Sequence, residues 1–219
     1  MDSIAEAFPN LEHLAINASL DPNTMRFLMM DSEFKHLRSL VINLAGCCDT
    51  VLTKEDCAVI GKHLSLQSLT VGPFHRIDTI VPLLSLPSLS SFRLGVGCVH
   101  DLSPFSGAGL SSLALTDMHL LLDKPSGFPG VLLGCPDLRE LMLEGLRSAV
   151  SPQMSGAQHA DVIALLPRIC SLPALKSLHI DDWTIQGSAD ISPALASMLN
   201  IPPHLSFTLS SLTLKCSEP

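Results

Sequence analysis

The sequence predicts an α/β fold: a right-handed solenoid with a curved parallel β-sheet on its concave side and helices or irregular crossings on its convex side. A six-residue frame, Leu-x-x-apolar-x-apolar, occurs eight times in the 219 residues. The last four residues of each frame alternate between apolar and variable positions, as a strand with one buried face requires. Segments with helix-capping residues, or rich in Gly, Pro and Ser, separate the frames and predict the crossings.

The frames run the whole length of the chain. They begin at Leu11, Leu37, Leu66, Leu89, Leu110, Leu138, Leu175 and Leu209. A proline stands two residues before the first leucine in four of them, at Pro9, Pro87, Pro136 and Pro173. We therefore predict a single array over residues 1–219 with about eight irregular repeats. Its strands are expected near residues 13–17, 39–43, 68–72, 91–95, 112–116, 140–144, 177–181 and 211–215.

The crossings of the first half carry helix-start signals. Asp21 followed by Pro22 predicts an N-cap with proline at the first helical position. The stretch from Thr53 to Asp56 resembles a capping box and predicts a helix over the apolar residues that follow. Residues 76–85 are interrupted by Pro82, so we expect only a short helix there.

The second half begins with a different kind of crossing. Residues 100–109 contain too much Gly, Pro and Ser for a helix and predict a turn-rich connection. Residues 156–171 place Val162, Leu165, Leu166 and Ile169 on one face and predict an amphipathic helix. Another helix is expected to open at Ser192-Pro193. Strand, crossover and strand repeated in one direction give parallel pairing and a right-handed coil.

Charge and cysteine content restrict the classes of partner and the compartment. The chain carries 21 acidic and 13 basic residues, a net charge of −8, which disfavours binding to nucleic acid. Its seven cysteines form no Cys-x-x-Cys pair, so we predict buried thiols and a cytoplasmic or nuclear location. The sequence shows no signal-peptide pattern and no apolar run of the roughly 18 residues that a membrane span needs. We therefore expect no membrane association.

The outermost layers of the array look thinly covered. The lead-in "MDSIAEAF" is short and partly apolar, and only "CSEP" follows the last frame. The end repeats of a solenoid need polar caps to cover their core. We therefore expect end-to-end self-association through under-capped terminal repeats, or a chain that belongs to a longer protein.

Catalytic and metal sites are not predicted. The sequence contains no Gly-x-Ser-x-Gly motif and no glycine-rich phosphate loop, so we predict a non-enzymatic protein without a cofactor. The stretch "LPALKSLHIDDW" raises the alternative of a metal-dependent hydrolase centred on His179 and Asp181. The residues expected beside them, Met142, Glu144, Thr213 and Lys215, include no second histidine, so no metal site is predicted.

The outward strand positions predict the binding surface, since solenoids bind partners through the strand side. The position before the second apolar residue is serine in six copies, which indicates a weakly charged surface through the middle of the array. Charge concentrates in the sixth and seventh copies. The candidate partner-binding residues are Arg93, Arg139, Glu140, Met142, Glu144, Lys176, His179, Asp181 and Asp182. A protein partner on the concave face is therefore expected.

The frame resembles the leucine-rich-repeat superfamily, since L-x-x-L-x-L is the motif of that superfamily. The usual Asn or Cys at the ninth position is missing, and the repeats are long and uneven, as in ribonuclease-inhibitor-like arrays. "FPNLEHLAIN", "CPDLRELMLEG" and "LPALKSLHIDD" are similar to the repeat regions of fungal F-box/leucine-rich-repeat proteins, although no F-box is recognisable. This resemblance implies substrate recognition in an SCF-type ubiquitin ligase pathway. The alternative is a regulatory or inhibitory scaffold of the ribonuclease-inhibitor type, without a ligase link.

Overall fold

The structure, a computed structural model, forms two compact units, residues 1–98 and 99–219. It describes residues 7–17, 34–43, 51–77, 79–98, 108–116, 119–121, 135–145, 147–149, 169–186, 201–209 and 212–215. The helices expected after Asp21 and at Ser192, and most of the helix expected over 156–171, lie outside these residues. Of that last helix, residues 169 and 170 are described and are helical.

Six of the eight frames begin at the end of a four-residue turn, namely those at Leu11, Leu37, Leu66, Leu89, Leu138 and Leu175. The N–H of Leu138 donates to the Cys135 carbonyl at 3.2 Å, and the N–H of Leu175 donates to the Leu172 carbonyl at 3.3 Å. Proline at the second position of such a turn has its φ angle already set, which explains the prolines that precede several frames. The turn therefore determines where each strand starts.

Unit 1 is built on parallel strands. Its strands are β1 (His13–Asn17), β2 (Ser39–Asn43), β3 (Val51–Leu52), β4 (Ser68–Ile77) and β5 (Ser91–Cys98). The strands β1, β2, β4 and β5 pair in that order, and β3 pairs with the end of β4. The second apolar residue of each frame meets its equivalent in the next strand, as Leu40 does with both Leu14 and Leu69.

The two helices of unit 1 are short. Helix α1 spans Lys54–Ile60 and is capped by Thr53, as the capping-box signal predicts. Helix α2 spans Val81–Leu84. The helix is short, as the sequence predicts, but Pro82 lies in its first turn, where a missing N–H costs nothing, so the proline does not interrupt it.

Unit 2 contains two parallel ladders. Its strands are β6 (Ser112–Thr116), β7 (His119–Leu121), β8 (Glu140–Glu144), β9 (Arg147–Ala149), β10 (Ser177–Asp181), β11 (Trp183–Gln186), β12 (Ser206–Leu209) and β13 (Leu212–Lys215). The first ladder runs β6–β8–β10–β12 and the second runs β7–β9–β11–β13. The sequence predicts only the first of these ladders.

The strand of the eighth frame does not pair as the sequence predicts. Residues 212–215 are a strand, but Thr213 pairs with Thr184 in the second ladder. The strand that continues β10 is β12, in which Thr208 pairs with His179. The expectation that Thr213 and Lys215 lie beside His179 and Asp181 is therefore wrong.

The apolar positions of the frames form the core of each unit. All three are at most 4% exposed in the copies that begin at Leu37, Leu66, Leu89, Leu110, Leu138 and Leu175. The prediction of parallel strands that bury the apolar positions of the frame is thus confirmed. The single array, the right-handed coil and the convex position of the crossings stay predictions.

Candidate functional site

The candidate site is the side of β8 and β10 that faces away from the core, which we call the polar strand face. Leu141 and Leu143 on β8 are 2% and 0% exposed, so the residues that alternate with them point to the opposite side of the sheet. Met142 and His179 pair across the two strands at the middle of this face, and both side chains are half-buried. The pairing of β8 with β10 thus brings two residues that are 37 positions apart in the sequence into contact distance.

Two basic residues lie just before β8 and β10, next to one end of the polar strand face. Arg139 and Lys176 come directly before β8 and β10, and the N–H of Lys176 donates to the Arg139 carbonyl at 2.8 Å. Both side chains are exposed. Equivalent positions on neighbouring strands lie about 4.8 Å apart, so this end carries two adjacent positive charges, next to the exposed carboxylate of Glu140.

Two acidic residues occupy the other end. Glu144 at the end of β8 pairs with Asp181 at the end of β10, and both side chains are half-buried. Asp182 follows and is exposed. The positive and negative ends are five residues apart along each strand, a distance of about 16 Å.

Asp182 also has a backbone role. Its φ of 46° is left-handed, and Gly145, which holds the equivalent position after β8, has a φ of 62°. The N–H of Gly145 donates to the Asp181 carbonyl at 3.0 Å at this corner. Aspartate is one of the few residues that tolerate this conformation, so the corner by itself accounts for an aspartate here.

Glu140 and Arg93 are the two predicted binding residues that remain. Glu140 is exposed on β8 between Ser112 and Ser177. Arg93 is exposed on β5, where it pairs with Thr70 of unit 1. The eight other candidates all lie in unit 2, so the structure brings together eight of the nine predicted residues.

Sequence reasoning missed that β12 belongs to this face. Thr208 is exposed next to His179, and Ser206 next to Ser177. A signal was present, because Pro203 stands two residues before Leu205, as proline does before other frames. The N–H of Leu205 donates to the Pro202 carbonyl at 3.0 Å, which is the same turn.

Buried titratable groups lie away from the polar strand face. Burial raises the pKa of the Cys135 and Cys170 thiols, which keeps them protonated and unreactive. Within the described ranges, no group of three or more His, Cys, Asp or Glu side chains could hold a metal ion. Neither of the helices described above has the length and apolar content of a membrane span.

Comparison with known proteins adds two distant structural likenesses. No protein-family model and no curated protein matches the chain. It is similar to the crystal structure of an internalin C2 from Listeria monocytogenes, with 15% identity, a TM-score of 0.45, and coverage of 93% of this chain and 80% of that one. An internalin (inlF) from the same organism has 13% identity and a TM-score of 0.43, with coverage of 93% and 62%. Nothing about binding follows from a likeness this distant.

Proposed function

We propose that this chain is a non-enzymatic protein-interaction module that binds a protein partner through the polar strand face. The observation that carries the proposal is the arrangement of like charges at its two ends. Arg139 neighbours Lys176, and Glu144 neighbours Asp181. Like charges directly opposite on adjacent strands destabilise a sheet, so neither pairing stabilises the fold.

A partner with complementary charges would match both ends at once. It would present basic groups to the acidic end and acidic groups to the basic end, about 16 Å away. Between them, Met142 and His179 offer a half-buried centre where an apolar side chain could pack. The charges would supply orientation and specificity, and the centre would supply most of the binding energy.

A matched pair of charge reversals tests this proposal. Asp181→Lys changes the acidic end of the face, whereas Asp137→Lys makes the same chemical change in the exposed turn before β8. Proteins captured by the native chain should also be captured by Asp137→Lys and be lost from Asp181→Lys, when all three have the same thermal unfolding midpoint. Equal capture by all three proteins would rule out the polar strand face as the binding surface.

We further propose that the polar strand face lies on a concave surface and selects substrates in an SCF-type ubiquitin ligase pathway. The similarity of three stretches to fungal F-box/leucine-rich-repeat proteins supports this specialised role. Binding of the purified chain, or of a longer form of it, to an F-box-binding adaptor would test it. Binding of a partner without any adaptor would favour the regulatory scaffold instead.

A cytoplasmic or nuclear location accompanies this proposal. The described cysteines Cys57, Cys135 and Cys170 are buried and form no disulfide, which supports a compartment where thiols stay reduced. Fluorescence microscopy of the tagged chain in its own cells would test the location. Secretion of the tagged chain would contradict it.

A further inference from the structure

We propose that a second copy of this chain docks the edge of its β12 onto the edge of β1, so that copies associate head to tail and extend the parallel ladder. This goes beyond the proposed function, because it uses neither β8 nor β10. Four features of the described residues support it: exposed apolar side chains, free backbone groups, the absence of edge charges, and a matching acceptor position.

The apolar layer at β1 is uncovered. Phe8 is 60% exposed, whereas Phe34, which holds the same turn position in the next copy, is 4% exposed. Leu14 is half-buried, whereas its equivalent Leu40 is 0% exposed. A further strand beside β1 would cover these side chains, as β2 is covered by its own neighbours.

The layer at β12 is uncovered in the same way. Phe207 pairs with Leu178 and is half-buried, although Leu178 itself is 0% exposed. Within the described part of unit 2, β12 pairs in its ladder with β10 alone. Both edges therefore expose apolar side chains whose equivalents on interior strands are buried.

The backbone groups of the two edges are complementary. The carbonyl of Glu12 accepts from the Ser39 N–H at 3.0 Å, and alternate residues of a parallel strand face the same neighbour. The carbonyl of Glu12 and the backbone groups of Leu14 thus face β2, whereas the backbone groups of His13 and Ala15 face the other edge, with which no described strand pairs. On β12, the N–H of Ser206 donates to the Lys176 carbonyl at 2.8 Å, so the backbone groups of Phe207 face the free edge.

In these ladders, one carbonyl at the start of a strand accepts hydrogen bonds from N–H groups at the start of the next strand. The Arg139 carbonyl accepts from the N–H groups of both Lys176 and Ser177, at 2.8 and 3.0 Å. On β12, the carbonyl of Leu205 holds the position that Lys176 holds one strand earlier. Across copies, it would accept from the N–H groups of Glu12 and His13 in the same manner.

Neither edge carries the protection that natural sheets place there. Edge strands are usually blocked by charged side chains or proline. The strands β1, "HLAIN", and β12, "SFTL", contain no Lys, Arg, Asp, Glu or Pro. The interior strands β8 and β10 do carry acidic residues. The edges are thus better suited to pairing than the interior.

Light scattering after size-exclusion chromatography tests the proposal over a wide range of concentration. The mass of the native chain should rise past two copies, because each copy added head to tail presents a new edge for the next until a ring closes. Phe8→Lys and Ala15→Pro should stay monomeric; the second removes an N–H that faces the free edge and leaves the pairing to β2 intact. Leu64→Lys is the matched control, since Leu64 is 63% exposed but lies in an interior turn. It should associate like the native chain.

A mixing experiment tests whether the β1 edge of one copy binds the β12 edge of another. Phe8→Lys blocks the β1 edge and Phe207→Lys blocks the β12 edge, so each alone should be monomeric and an equal mixture should stop at two copies. Far-ultraviolet circular dichroism checks that each variant is folded. The proposal is overturned by a native chain that stays monomeric, by a mass that saturates at two copies, by loss of association in Leu64→Lys, or by a mixture that forms no dimer.

Discussion

The ring of His63 lies against the ring of Phe34, with the ring centroids 5.9 Å apart. His63 is 6% exposed and occupies the first position of a turn, where other copies have Leu86, Cys135 or Leu172. Its Nε2 is buried without a hydrogen-bond partner. Burial lowers the pKa of His63 below its ordinary value of 6.5, Lys62 lowers it further, and a hydrogen bond with the Phe34 backbone opposes them.

We predict that His63 makes the fold sensitive to acid. Because its pKa is lower in the folded state, the unfolded chain binds a proton first as the pH falls. The full stability is present above pH 6.5 and is lost below it, until the lowered pKa is reached. The loss is at most about 1.4 kcal/mol per pH unit.

Urea unfolding of the native chain and His63→Leu at about pH 7.5 and about pH 5.5 checks this prediction. Leucine fills the same position in two other copies, so the variant should fold. Its free energy of unfolding should fall less between the two pH values than that of the native chain. Equal changes in the two proteins would contradict a role for His63.

Substitution of Gly72 should destabilise unit 1. Its φ is 141°, and a Cβ atom added there would meet the Gly95 carbonyl oxygen of the neighbouring strand at 2.3 Å. Because the obstacle is backbone, Gly72→Ala should cost at least about 2 kcal/mol. Gly109→Ala is the control, since nothing lies within 4 Å of the added atom. Thermal unfolding of the two variants should show a lower midpoint for Gly72→Ala alone.

The helix cap at Thr53 should stabilise α1. The Thr53 side chain accepts from the Asp56 N–H at 3.3 Å, and the Asp56 carboxylate accepts from the Thr53 N–H at 2.9 Å. Thr53→Ala removes the hydroxyl and should cost about 1 kcal/mol, whereas Thr53→Ser keeps it and should cost much less. Chemical unfolding measures both, and equal losses would show that the methyl group matters more than the cap.

Substitutions of Asp182 distinguish a role in backbone conformation from a role in partner binding. Its left-handed φ of 46° suits glycine, so Asp182→Gly should be at least as stable as the native chain. Asp182→Val should lose about 1–2 kcal/mol, because a branched side chain resists this conformation. If Asp182→Gly still captures the partner of the native chain, Asp182 acts through the corner and not through its charge. Lost capture with unchanged stability would place its carboxylate in the contact.

The sequence by itself determined where most strands of the first ladders lie and which of their faces is buried. The alternation that buries Leu141 and Leu143 is a local property of a strand, so the sequence alone indicates which residues are buried. Proline-marked turns set the starting points of the frames. The basic and acidic clusters near β8 and β10 were visible for the same reason, because equivalent frame positions align in parallel strands.

Only the tertiary structure decided which strand follows β10. Residues 204–215 contain two apolar alternations, and both form strands, but only β12 pairs with β10 while β13 pairs with β11. The second ladder was hidden because β7, β9 and β11 have no frame of their own, and the frame at Leu209 was aligned with the first ladder. The burial of His63 was likewise not visible in the sequence, because it depends on packing against Phe34. Pairing and burial depend on neighbours far away in sequence, and local periodicity does not contain that information.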